Sequence, residues 1–160
     1  GISIFKEWKV RNQNEFLHSF CTAWQLSVLN KYPFLLCLDT MHNTCYALDD
    51  KIRNGFLHTI IVRHSIAGRG VPVAFMIKSS ETRLPLKLWL KWLKAKAPLT
   101  ETPTFVIDCS VTEVAGIKAV FDNPNIRFYY LHFIRALNAL TKKIIDPVVR
   151  KSVVAEFTLL

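Results

Sequence analysis

No apolar run in this chain approaches the roughly 20 residues that a helix needs to span a bilayer, which excludes a membrane-spanning helix. Glycine is scarce, five in 160 residues. None of the five builds the Gly-rich loop after a strand that cradles nucleotide phosphates, and Gly68-Arg69-Gly70 reads as a hairpin turn instead. The four cysteines, Cys21, Cys37, Cys45 and Cys109, form no C-x-x-C pair and have no partnered His spacing. That excludes a recognisable zinc module and argues against a disulfide framework. Reduced buried thiols are expected, with Cys37 in the core of a strand. The opening GISIFKEWKV lacks the apolar stretch and small-residue cleavage site of a signal peptide. The expectation is a soluble intracellular chain, or a fragment whose targeting segment lies elsewhere.

Acids are also scarce, 12 against 21 lysines and arginines, which leaves a net charge of +9. Such an excess favours a polyanionic partner, nucleic acid being the commonest inside cells; the competing reading is a charge that keeps an apolar domain in solution. With 51% hydrophobic residues the chain has ample material for a core, and at this length a single domain buries roughly two thirds of its unfolded surface.

Apolar periodicity at Phe16, Leu17, Phe20 and Trp24 predicts an amphipathic helix from about Asn14 to Leu29, broken at Tyr32-Pro33. Phe34 to Leu38 is a short, continuously apolar run, as in a strand buried on both faces. Asp49 to Gly55 supplies turn chemistry, and Phe56 to Arg63 and Val71 to Ile77 read as an antiparallel hairpin. A helix from Leu84 to Ala97 follows, then a strand from Thr104 to Ile107. Ser110 and Glu113 form an S-x-x-E capping box that accounts for Glu113 without chemistry. A fifth strand, Ile126 to Tyr129, and a helix from Leu131 to Ile145 stopped by Pro147 complete the pattern. The expected architecture is α/β, a mixed five-stranded sheet flanked by helices in the RNase H-like manner, with an extra N-terminal helix. Residues 1–33 form a leading helical segment, 34–145 the core, and 146–160 an extension that begins a truncated or inserted region.

Asp39 and Asp108 occupy matching places, each ending an apolar strand. These strands are neighbours in such a layout, and ligands bind outside the carboxyl ends of strands in open α/β sheets. Adjacent carboxylates repel, and a divalent cation relieves the repulsion. Hard oxygen donors suit Mg²⁺ or Mn²⁺, and a metal pair about 3.5–4 Å apart suits phosphodiester cleavage. Either acid taken alone reads first as a strand-end residue that caps a turn, and it is the pairing that points to chemistry.

The segments LLCLDTMHNTC, GRGVPVAFMIKSSET, FVIDCSVTEVAGIKAVF and IRFYYLHFIRAL resemble, in order, the blocks of the Mutator-like (MULE) transposase domain, nearest its fungal-type members. The likeness runs from Phe34 to Lys143. It implies an RNase H-like DDE transposase in which Asp39 and Asp108 are the first two catalytic, metal-binding acids. It further implies Mg²⁺-dependent strand cleavage and transfer at transposon ends, DNA as partner, and a nuclear setting. Water is then the first nucleophile and a DNA 3′-hydroxyl the later one. Two departures stand out. Tyr129 occupies the place of a family cysteine near His132, and the family's third acid, a Glu beyond an inserted segment, has no recognisable counterpart. Asp146 and Glu156 sit in no motif.

Glu81 reads either as an auxiliary acid near the same sheet edge or as a helix-start acid favoured by the macrodipole. Lys87, Lys91 and Lys94 share one helix face, and Arg135 and Lys142 lie on the polar side of the last helix. All five read either as DNA-phosphate contacts or as solvated faces. Two functional readings follow: an active metal-dependent transposase core, or a catalytically inactive derivative serving as a nucleic-acid or protein interaction module. No membrane contact is expected. A homo-oligomer or the remainder of a longer transposase is the expected protein partner.

Overall fold

The computed structural model describes residues 1–10, 13–45, 55–64, 68–97, 99, 103–108 and 110–158. Strand alternation organises the start of the chain. Strands β1 (Ile2–Val10) and β2 (Gln13–Cys21) pair antiparallel with Ile2 opposite Cys21. Along β2, Leu17, Ser19 and Cys21 are buried, while Phe16, His18 and Phe20 alternate to the other face. There Phe20 stacks on Phe75 with ring centroids 5.4 Å apart. The helix expected over Asn14 to Leu29 is therefore corrected. The spacing of Phe16, Leu17 and Phe20 fits a helical stripe, but the period-2 pattern and the partner strand decide the outcome. The helix α1 spans Ala23–Lys31 and starts at a reciprocal cap. The Thr22 hydroxyl accepts from the Gln25 amide at 3.1 Å, and the Gln25 side-chain oxygen accepts from the Thr22 amide at 2.8 Å. Residues 1–33, expected as a leading helical segment, thus supply two strands and one helix.

Strand β3 (Leu35–Cys45) runs six residues past Asp39, which is mid-strand rather than at a strand end. Strands β4 (Gly55–Arg63) and β5 (Gly70–Lys78) form the expected antiparallel hairpin. Its turn uses Gly68 at φ 64, a left-handed conformation that glycine adopts without steric cost. The turn expected at Asp49 to Asn54 lies outside the described residues. Helix α2 (Arg83–Lys96), strand β6 (Thr104–Ile107), helix α3 (Val111–Lys118) and strand β7 (Asn125–Phe128) follow nearly as expected.

The fold is α/β, with a seven-stranded mixed sheet rather than five strands, in the order β1-β2-β5-β4-β3-β6-β7. The two extra strands are the β1-β2 hairpin, which β2 joins to β5. One sheet face carries Leu36, Leu38, Ile60, Val62, Ala74 and Met76, all buried, against Leu86, Trp89, Leu90 and Leu93 of α2 and Ile117 of α3. Burial of each large apolar side chain stabilises by about 1.5–3 kcal/mol. Helices α2 and α3 approach so closely that a Cβ on Gly116 would lie 2.7 Å from Leu86 Cδ2. Cys37 alternates to the opposite face and is half-buried, not in the core. Burial raises its thiol pKa, and nearby Asp39 adds to the effect.

The chain divides into two compact units, Gly1–Arg127 and Phe128–Leu160. The second contains α4 (Tyr130–Thr141) and α5 (Pro147–Thr158). The helix expected to reach Ile145 stops at Thr141, and Pro147 opens α5 instead of ending α4. Proline suits a first helical position because its missing N–H would have no helical partner there. Asp146 Oδ1 caps that helix, accepting from the Val148 amide at 2.8 Å. Five helices are present among the described residues, none long and apolar enough to cross a membrane.

Candidate functional site

The register of β3 against β6 places the two aspartates. The strands pair in parallel, Leu35 with Thr104, Leu36 with Phe105 and Cys37 with Val106. Continued by two residues, that register sets Asp39 level with Asp108. Strand β6 ends at Ile107 while β3 continues to Cys45. Asp39 therefore stands where the neighbouring strand gives out, and Asp108 begins the connection to α3.

Beside Asp39, Thr40 turns to the helix-covered face and pairs with His58 of β4. Three ionisable groups are nearly removed from solvent there: His58 (2% exposed), Lys78 (2%) and Glu113 (4%). The Thr40 hydroxyl donates to Glu113 Oε1 at 2.6 Å and lies 2.8 Å from His58 Nδ1. A hydroxyl has one hydrogen, so with that hydrogen on Glu113 the Nδ1–H of a neutral His58 donates to Thr40. His58 Nε2 is then an acceptor, and it has no partner; neither has Glu113 Oε2.

The electrostatics follow from this enclosure. Burial pushes Glu113 from an ordinary 4.5 up to about 7, and the carboxylates of Asp108 and Asp39 push the same way. The Thr40 hydrogen bond and the Lys78 charge oppose the rise. Burial holds His58 down at about 3, helped by the charges of Lys78 and His42. Lys78 is lowered to about 8 by burial, against the attraction of Glu113, Glu81 and Glu15. In each of the three, burial shifts the balance toward the neutral form.

Glu113 was assigned only a capping role in the sequence. Ser110 Oγ does accept from its amide at 3.3 Å, but the carboxylate itself bonds Thr40, 73 residues away. A signal did exist. His58 alternates in register with Phe56, Ile60 and Val62, and Lys78 with Ala74 and Met76. Polar residues at core positions of two adjacent strands mark a buried polar site.

Glu81 does not open α2: the helix begins at Arg83 with Thr82 as N-cap, and Glu81 precedes the cap. It is joined to β3 through His42, whose Nδ1 lies 3.4 Å from Glu81 Oε1, both side chains being well exposed. Of the lysine face on α2, Lys91 is exposed and Lys87 half-buried, while Lys94 Nζ lies 5.2 Å from the centroid of the Phe121 ring. Arg135 and Lys142 are exposed in the second unit. Tyr129 is the exposed N-cap residue of α4. The His132 side chain lies outside the described residues. Asp146 is engaged in its helix cap and Glu156 is exposed on α5.

Asp39 and Asp108 offer only oxygen donors, the chemistry that Mg²⁺ and Mn²⁺ take. Among the described residues no three His, Cys, Asp or Glu groups converge tightly enough to enclose a metal ion. Mg²⁺ does not require such an enclosure: it retains several waters and commonly binds one or two carboxylates together with substrate phosphate. An all-oxygen pair of carboxylates, set level where β6 ends, fits a hydrated cation of this kind. No protein-family model matches the chain, and no curated protein matches it.

Proposed function

We propose that this chain is the catalytic core of an RNase H-like DNA transposase, with Asp39 and Asp108 holding Mg²⁺ or Mn²⁺. The observation that carries the reading is the parallel register of β3 and β6, which continues to set the two aspartates level where β6 ends. The ordered likeness of four sequence blocks to the Mutator-like transposase domain supports it, as does the net charge of +9. The mixed sheet, with an antiparallel hairpin beside a parallel pair, is compatible with an RNase H-like layout.

When bound, the cation neutralises charge on a DNA phosphodiester. Asp39 and Asp108 hold it, while exposed lysines such as Lys91 steer and position the phosphate backbone. DNA is the proposed partner and the nucleus the proposed setting. The remainder of a longer transposase, or a second copy, is the proposed protein partner.

A second reading is favoured by one observation: neither acid of the C-terminal segment is placed as a third catalytic carboxylate in a recognisable motif. Asp146 caps α5, and Glu156 is exposed on it. Under that reading the chain is an inactive transposase-derived domain that binds nucleic acid or protein. Nicking of supercoiled plasmid in Mg²⁺ or Mn²⁺ separates the two. The first predicts nicking by the wild type that Asp39→Asn and Asp108→Asn each abolish. DNA binding without nicking supports the second, and nicking untouched by either substitution contradicts the first.

A further inference from the structure

Thr40 turns to the helix-covered face, so by strand alternation its neighbour Asp39 projects from the other face of the sheet. The strand registers carry that position across four strands. Asp39 pairs with Thr59, Thr59 with Phe75, and Phe75 with Phe20. Directly opposed residues of neighbouring strands share a face. Asp39, Thr59, Phe75 and Phe20 therefore form one row across the sheet, on the face away from the Thr40–Glu113 pair.

The outer end of that row is built of rings. Phe16, His18 and Phe20 occupy three successive outward positions of β2. The His18 ring lies 6.0 Å from Phe5 and 5.7 Å from Phe20, and Phe5 lies 6.3 Å from Phe16, centroid to centroid. Phe20 stacks on Phe75 at 5.4 Å with the planes 24° apart. Rings thus adjoin one another from β1 through β2 to β5. Phe5 is 56% exposed and Phe20 38%. A contiguous apolar patch so open to water marks a place where something docks.

The chemistry of the patch points to its partner. Aromatic side chains on a sheet face are stacking platforms for unpaired bases, and they accept any base because every base has a π-face. Charge agrees, with a net +9 on the chain and exposed Arg63 on the same face of β4, four residues from Thr59. Spacing agrees as well. With strands about 4.8 Å apart, Phe75 stands about 10 Å and Phe20 about 14 Å from Asp39 along the row. Stacked nucleotides rise about 3.4 Å each, which puts these rings about three and four nucleotides from a phosphate at Asp39.

We infer that Phe75 and Phe20, with His18 and Phe5 beyond them, stack the bases of an unpaired DNA strand whose phosphate lies at Asp39 and Asp108. The placement of the phosphate rests on the metal-binding reading proposed above; the stacking surface does not. A duplex keeps its base faces within its own stack, so the substrate that fits is a strand end or a locally opened duplex.

The test is fluorescence anisotropy with a labelled single-stranded DNA of mixed sequence and with its duplex, in EDTA. It compares the 160-residue chain with Phe20→Leu, Phe5→Leu and Phe20→Tyr. The wild type is expected to bind the single strand more tightly than the duplex. Phe20→Leu keeps apolar bulk but loses the ring, and it weakens single-strand binding about fivefold or more, with duplex binding unchanged. Phe5→Leu shifts it in the same direction, and Phe20→Tyr, which keeps the ring, binds as the wild type does. Added Mn²⁺ then tightens single-strand binding by the wild type and not by Asp39→Asn.

Equal affinity for single strand and duplex overturns the inference, as does single-strand affinity unchanged in both leucine variants. Leucine variants that lose single-strand and duplex binding together, with a lowered melting temperature, show rings that only hold the sheet and also overturn it. Ring-dependent binding without any Mn²⁺ effect supports the stacking surface and contradicts the metal-binding reading instead.

Discussion

Glu113 makes the stability of this protein depend on pH in a direction opposite to that of an ordinary paired carboxylate. Its pKa is about 7 in the folded chain against 4.5 for the exposed group. A carboxyl raised by folding contributes its stability in full below the unfolded value, and that contribution is lost as pH rises through the folded value. The difference of 2.5, from 4.5 to about 7, corresponds to about 3 kcal/mol at 1.36 kcal/mol per pH unit.

The wild type alone does not reveal this. His58, held at about 3 against an ordinary 6.5, gains stability as pH rises through much of the same range. Lys78 changes its contribution only above about 8. Comparison with Glu113→Gln cancels the His58 contribution, while Lys78, which loses the attraction of Glu113 in the variant, changes the difference only at the alkaline end of the range. Urea unfolding in EDTA at half-unit steps from pH 4 to 8 provides the difference curve. Relative to Glu113→Gln, the wild type is expected to lose about 3 kcal/mol between pH 4.5 and 7.5, most of it above pH 5. A flat difference would refute the reasoning. So would a wild type that gains on the variant as pH rises, because that is the behaviour of a carboxylate with a stabilising partner.

Thr40→Val removes the hydroxyl that serves both Glu113 and His58 and is expected to destabilise by about 1–3 kcal/mol in urea unfolding; a neutral result would mean that the two groups are satisfied elsewhere. Gly116→Ala sets two effects against each other, a helix-propensity gain of about 1 kcal/mol and a Cβ 2.7 Å from Leu86 Cδ2. Overpacking costs about 1–3 kcal/mol, so net destabilisation is expected, and a raised melting temperature would show that Leu86 yields freely. Lys87→Ala with Lys91→Ala is expected to weaken binding to all DNA sequences alike. The slope of log K against log salt should fall by roughly two; an unchanged slope would mark the two lysines as a solvated face.

The hairpin β4-β5 and helices α2 and α3 were legible because each follows from local periodicity and turn chemistry; the adjacency of the strands that carry Asp39 and Asp108 came only from the layout that those elements suggest. The N-terminal hairpin was not. Phe16, Leu17 and Phe20 satisfy a helical stripe as well as they satisfy alternation, and only pairing of β2 with β1 and β5 separates the two. The length of β3 was hidden for a related reason. Thr40 reads as the start of a polar turn, yet it is a strand residue bonded to a buried histidine and a buried glutamate. Glu113 was obscured by a sufficient local explanation, its cap with Ser110. Its long-range partner becomes visible only once α3 is laid over the sheet. The end of α4 at Thr141, ahead of Pro147, shows the same limit: proline marks a helix boundary without saying which side of it the helix lies on.

The most direct test of the central claim is a Mn²⁺ titration read by the paramagnetic resonance of the free ion, on wild type, Asp39→Asn, Asp108→Asn and the double variant. If the two aspartates share a cation, either single substitution removes binding as completely as both together. Retained binding in either single variant, or losses that add independently in the double, would contradict the account.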